Sequence, residues 1–261
     1  MLNIKHHARK AFSKHFIRQA FIELRYSKIE VDWKNIKIRL DKDNPFLTFD
    51  KLNLAFAANI SLEKPSVSSD KIKVAKYSNS LIGIDLQSDD KSLIAQLRDD
   101  RIIFTCNEYT SFENFWSICS DFVTLAKTIL FFNDFLWFGV RKINVVGVDV
   151  DNGTYRGEGF SEEFFEPVRI GRFEEGFLKS GENNYLVKKD DTSCIIKLAF
   201  MQLMDKDKYE ICFDIDVNKQ LPQPLSFHGL KEEADNLNQM LFDVFCWVIA
   251  RDLREKLEEV T

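Results

Sequence analysis

Two stretches of this chain carry apolar residues at helical spacing, and each follows a series of short alternating runs. The first is Ser111–Phe132, SFENFWSICSDFVTLAKTILFF; the second is Leu230–Leu257, LKEEADNLNQMLFDVFCWVIARDLREKL. In the first, Phe112, Phe115, Trp116, Cys119, Phe122, Val123, Ala126, Ile129 and Leu130 recur every three or four residues, with Glu113, Asn114, Ser117, Asp121, Thr124 and Lys127 opposite. In the second the apolar set is Leu237, Leu241, Val244, Phe245, Val248 and Ile249, widened by Met240, Phe242 and Trp247. Runs of strands closed by one helix, twice over, imply an α+β class. The expected body is two similar antiparallel-sheet-plus-long-helix units, residues 19–133 and 134–261, packed as one pseudo-duplicated whole after a basic segment, residues 1–18.

The strand signals are of period two. In Ala20–Ser27, Ile22, Leu24 and Tyr26 face one way and Phe21, Glu23 and Arg25 the other, as in a half-exposed strand. Ile36–Leu40, Leu52–Ala58, Leu81–Leu86, Ser92–Arg98 and Arg101–Asn107 read as further strands, with a Pro–Ser loop around Pro65. Thr110 and Glu113 form a T-x-x-E capping box ahead of the first helix. The second half reads as a strand Leu136–Val150, a Gly-rich acidic loop Asp151–Glu163, and a meander of Tyr185–Lys189, Ser193–Met204 and Tyr209–Val217 with a turn at 205–208. A Pro-rich connection, LPQPLSFHG, then leads to the last helix.

Composition narrows the class. Twenty-four Phe residues supply a large core, and 45% apolar with 30% charged residues is a globular balance. A net charge of −5 argues against a general nucleic-acid binder. Lys5, Arg9, Lys10, Lys14 and Arg18 make a basic start that suffices only for weak phosphate attraction. Cys106, Cys119, Cys194, Cys212 and Cys246 are widely spaced within apolar runs, so they read as reduced, buried thiols. The first sixteen residues lack a signal-peptide core, and Phe122–Val140 is interrupted by Lys127, Asn133 and Asp134. A cytoplasmic location with no membrane contact is the expectation.

Motifs of chemistry are scarce. The chain has no G-x-G-x-x-G, P-loop, H-E-x-x-H or G-x-S-x-G pattern. His6, His7 and His15 lie in the basic start, where a solvated segment is the simple reading and a metal site the alternative; His228 lies in the Pro-rich loop, where a solvated side chain is the simple reading and a catalytic pair with a nucleophile the alternative. Asp149-Val-Asp151-Asn-Gly153 starts like a calcium loop, but glycine is fifth rather than sixth and the twelfth residue is Phe160, so a turn is expected. Glu162–Glu163 and Asp214–Asp216 are acid pairs; Asp214 and Asp216 project from one side of a strand and could raise each other's pKa, against the plainer reading of a solvated outer strand. No cofactor and no metal are expected.

Three segments resemble a sporadically distributed, uncharacterised bacterial protein family of about this size. They are FIRQAFIELRYS (Phe16–Ser27), FGVRKIN (Phe138–Asn144), and DIDV (Asp214–Val217) followed by a long helix. In the middle segment Lys142 stands where the family's central strand has an aromatic residue. The resemblance implies no established reaction. Its matching positions, Glu23, Arg25, Arg141 and Asn144, are the candidate binding residues of a shared polar site, or else strand-surface residues in ion pairs. The layout also resembles bacterial export chaperones of the SecB kind, which set a four-stranded antiparallel sheet beside a long helix.

Both helices are apolar over more than half their circumference, which one buried stripe does not require. The functional expectation is therefore a non-enzymatic protein- or peptide-binding scaffold. It could act as a chaperone-like component of a bacterial defence or toxin–antitoxin module, with a partner protein, a peptide or a second copy of itself. The alternative is an enzyme or small-ligand sensor with a polar pocket between the two halves.

Overall fold

Alternation sets the sheet. In the first strand Ala20, Ile22, Leu24 and Tyr26 are buried, while Phe21, Glu23 and Arg25 between them are half-buried. The same rhythm runs through the neighbouring strands, so one sheet face is apolar and takes the helices, and the other, the open face among the described residues, carries mostly half-buried side chains. The computed structural model describes residues 4–9, 15–62, 74–149, 159–163, 180–204, 208–255 and 257. Its strands are β1 (Ile17–Tyr26), β2 (Lys51–Leu62), β3 (Val74–Gln87), β4 (Leu93–Arg98), β5 (Arg101–Cys106), β6 (Phe135–Asp149), β7 (Ser180–Lys189), β8 (Thr192–Gln202) and β9 (Lys208–Leu225). Its helices are α1 (Trp33–Lys42), α2 (Phe112–Leu130), α3 (Leu230–Val248) and the short α4 (Arg251–Glu255).

The class is α+β, with one continuous nine-stranded antiparallel sheet in the order β2-β3-β4-β5-β1-β6-β9-β8-β7. β1 pairs with β5 and β6 with β9, so no boundary between two separate sheets divides the strands. β1 also pairs with β6, with Ile22 opposite Val140, near the centre of the sheet; the expected two separate sheet–helix units are replaced by this one continuous sheet. At Gly83 in β3 an added Cβ would sit 2.0 Å from the Leu97 carbonyl oxygen, so only glycine allows β4 so close.

The covered face holds the core. Phe104 of β5 packs its ring 5.6 Å from both Phe115 and Phe122 of α2, and Trp116 meets Phe138 of β6 edge-on at 6.1 Å. Phe213 of β9 stacks against Phe245 of α3 at 5.7 Å. The remaining apolar side chains of these helices, including Ile118, Leu125, Met240, Phe242 and Trp247, also pack against this core. No large apolar side chain of α2 or α3 is exposed. The apolar surplus of the helices is thus absorbed by the sheet and by each other's surroundings.

Several local expectations change. Ile36–Leu40 is part of α1, not a strand. Asp32 caps the helix by accepting from the Asn35 N–H, and Trp33, Ile36 and Leu40 are buried at helical spacing. Ile38, which fits the alternating reading equally well, is left exposed. The cap of α2 is Ser111, whose Oγ accepts from the Asn114 N–H at 3.1 Å; Thr110 Oγ1 accepts from Asn114 Nδ2 instead. The Pro-rich connection is largely strand: β9 runs through Pro222 and Pro224 to Leu225, where its pairing with β6 is irregular and tolerates prolines. The last helix stops at Val248, and Ile249 bridges to Phe160 before α4 begins. The Pro65 loop, residues 205–207 of the expected turn and most of Asp151–Glu163 lie outside the described residues, while Lys208 begins β9.

Candidate functional site

Strand alternation decides which candidates can meet. Glu23, Arg25 and Arg141 point to the open sheet face, and Asn144, three residues beyond Arg141, points to the covered one. On the open face Arg25 Nε donates to Glu23 Oε1 at 2.6 Å, and the Arg25 guanidinium lies 4.3 Å over the Trp137 ring. Arg101 extends this row, 3.7 Å from Glu23 and bonded to Asp100 at 2.8 and 2.9 Å. Arg141 makes a two-pronged pair with Asp214, at 2.7 and 2.6 Å, and sits over Phe21. Gly139 leaves room for the Trp137 indole, because a Cβ there would fall 2.5 Å from its ring. These three candidates are thus held in ion pairs on the sheet surface, and Asn144 is separated from them by the sheet itself.

Asp214 and Asp216 lie on an interior strand, β9, rather than an outer one. Asp214 is matched by Arg141. Burial pushes the Asp216 carboxyl above the usual carboxylate range, against a hydrogen bond from Asn218 Nδ2 and the field of Arg141.

Asn144 opens on a different arrangement. A cavity of about 260 Å³ lies where the N-terminus of α2, the middle of α3, the inner part of β6 and residues 9 and 15–17 meet. Lys142 and Asn144 of β6 share its floor, and Tyr109, Phe112, Glu113, Asn238, Leu241 and Phe242 are among its walls. Lys142 is only 7% exposed. Its Nζ donates to Tyr109 Oη at 3.0 Å and to Asn238 Oδ1 at 2.8 Å, and lies 4.7 Å from the centre of the Tyr109 ring. Burial favours the neutral amine and pushes the Lys142 pKa down to about 7; Glu113 opposes this and Arg9 adds to it. Burial likewise raises the Tyr109 hydroxyl, which therefore stays protonated.

Two polar atoms at the cavity lack partners. Asn144 is 1% exposed; its Nδ2 makes long bonds to the Phe213 and Lys142 carbonyls at 3.3 and 3.4 Å, and its Oδ1 has no donor. His15 Nδ1 is also buried and unbonded, with its ring edge-on to Tyr109 at 5.7 Å. Native interiors rarely leave such atoms unsatisfied, so each marks a place for a bonding group.

Sequence reasoning grouped Asn144 with Glu23, Arg25 and Arg141 and named His15 only with His6 and His7; it missed Lys142, Tyr109 and Asn238. Lys142 had one signal: a lysine two residues from Asn144 and two from Val140 must share their buried face. His15 sits in the cavity wall, whereas His228 is exposed as expected. The basic start is tied to α3, with His6 Nδ1 3.1 Å from Asp243 Oδ2, the His7 N–H donating to Asp243 and Arg9 3.5 Å from Asp235. All five cysteines are free thiols, four buried and Cys212 half-buried. Among the described residues no three His, Cys, Asp or Glu side chains come together as a metal site, and no helix is long and apolar enough to cross a membrane. Comparison with protein-family models and with curated proteins finds no match.

Proposed function

We propose that this protein binds a small organic molecule in the cavity between its two halves. The observation that carries this reading is Asn144 Oδ1, a buried acceptor without a donor beside the buried Lys142 amine. Apolar side chains in a core-like site favour neither group unless something occupies the space. The matching ligand has an apolar body for Phe112, Leu241 and Phe242 and a polar head that donates to Asn144. The shared strand order of the halves, first strand beside last, supports reading the chain as two like sheet–helix units with the site near their junction.

A thermal-shift screen of small hydroxyl and carbonyl compounds, run on the wild type and on Asn144→Leu, tests this. At least one compound should raise the Tm of the wild type and leave the variant unmoved. No shift across the screen, or equal shifts in both proteins, rejects the reading.

A second reading keeps the expected scaffold, a chaperone-like partner-binding component of a bacterial defence or toxin–antitoxin module. It is supported by the outer pair β7–β8, where Leu186 of the edge strand β7 is 70% exposed and Met201 of its neighbour β8 is 54% exposed. Size-exclusion chromatography with light scattering tests the self-association form of this reading: Leu186→Lys should lower the mass of any oligomer, and a monomeric wild type rejects that form.

A further inference from the structure

The small-ligand reading can be taken one chemical step further, and the step rests on it. Lys142 Nζ stands at the floor of the cavity with two oxygen atoms in bonding range, Tyr109 Oη and Asn238 Oδ1. A neutral amine has two hydrogens and one lone pair. Donation to these two oxygens leaves the lone pair as the nitrogen's free valence. The nitrogen is therefore both oriented and unsolvated, which is how buried lysines become nucleophiles. On the covered face of β6 the strand neighbours of Lys142 are Val140 on one side and the buried Asn144 on the other, with Phe138 beyond Val140, so the amine stands at the edge of the apolar core where the polar cavity begins.

We propose that Lys142 forms a reversible imine with the carbonyl carbon of a small aldehyde held in this cavity. The amine lone pair forms the C–N bond while the carbonyl π electrons move to oxygen. That oxygen takes one nitrogen proton, relayed through the Tyr109 hydroxyl 3.0 Å away. It then leaves as water with the second nitrogen proton, again by way of Tyr109, as the C=N bond closes. Amine and aldehyde give imine and water, and no oxidant or metal enters. Asn144 Oδ1, two residues along the same strand face, is placed to accept from a hydroxyl or N–H on the ligand. The class of ligand is accordingly a small aldehyde bearing one hydrogen-bond donor and a short apolar body. The burial that holds the amine near neutrality at physiological pH supports the same chemistry.

Reductive trapping tests the step in the full chain. The protein is incubated with butanal and sodium cyanoborohydride at neutral pH, and the alkylated lysines are mapped by peptide mass spectrometry over time. Lys142 should be labelled first, by roughly tenfold or more over solvent-exposed lysines, because a larger share of its amine is unprotonated. Tyr109→Phe should slow labelling at Lys142 alone. Labelling of exposed lysines with Lys142 unmodified, or modified no faster than they are, overturns the imine. A parallel thermal shift with butan-1-ol, which has the same skeleton without the carbonyl, separates the two levels. Stabilisation by the alcohol with Lys142 unlabelled removes the imine and keeps the ligand site; no stabilisation and no labelling removes both.

Discussion

Lys142 Nζ bonds Asn238 Oδ1 at 2.8 Å, tying the middle of β6 to the middle of α3 across 96 positions of sequence. The bond is buried, so it contributes orientation at a cost in stability that depends on protonation.

That dependence has a definite sign. The Lys142 pKa falls on folding to about 7 from its ordinary 10.5, so between these values the unfolded chain holds a proton that the folded chain releases. Folding stability therefore rises with pH across that window, and the full penalty for burying an ammonium is present below it. Burial sets the shift, Arg9 adds to it and Glu113 opposes it, while Tyr109, Asn238 and His15 also face the amine. Lys142→Met should remove this slope, which is at most about 1.4 kcal/mol per pH unit. Urea titrations of both proteins at several pH values from 6 to 10 check this; parallel stability curves would show that the amine is not buried as described.

Asn144→Leu should stabilise the empty protein by about 1 kcal/mol, because it removes an acceptor with no donor and only two long bonds. Denaturant midpoints measure it. A loss of stability would mean that Oδ1 is satisfied.

On the open face, Arg141→Met should cost about 1–2 kcal/mol, since it strands the Asp214 carboxylate, which is 8% exposed. Arg25→Met should cost less, because both partners of its pair with Glu23 are more exposed. A double-mutant cycle on Arg141 and Asp214 gives the coupling directly, and a coupling no larger than that of Arg25 and Glu23 would refute the ranking.

Ser111→Ala should lower stability by about 1 kcal/mol by uncapping α2, whereas Thr110→Ala should do little. Thermal melts of the two variants settle which hydroxyl is the cap, and a larger loss from Thr110→Ala would restore the capping box read from sequence.

Much of the site's logic was legible and part of it was passed over. Residues 141 and 144 are an odd number apart on one strand, so alternation already sets Arg141 and Asn144 on opposite faces. The same rule puts Lys142 beside Asn144. The expectation of a surface polar cluster overrode it, since charged residues are usually solvated. Ile36–Leu40 failed for a different reason. Ile36, Ile38 and Leu40 alternate, but Trp33, Ile36 and Leu40 also keep helical spacing, and only the Asp32 cap and the burial of those three decide between them.

By itself the sequence determined the α+β class and the apolar side of the long strands and helices, because those follow from residue spacing along the chain, with α1 the exception. Tertiary structure alone decided that β1 and β6 pair so that all nine strands form one sheet, that the helices' apolar surplus is buried, and that Tyr109, Lys142, Asn144 and Asn238 converge on one cavity. The reason is that spacing constrains neighbours within a turn or along a strand, whereas contacts across 33 and 96 positions depend on which elements pair and which face the helices cover.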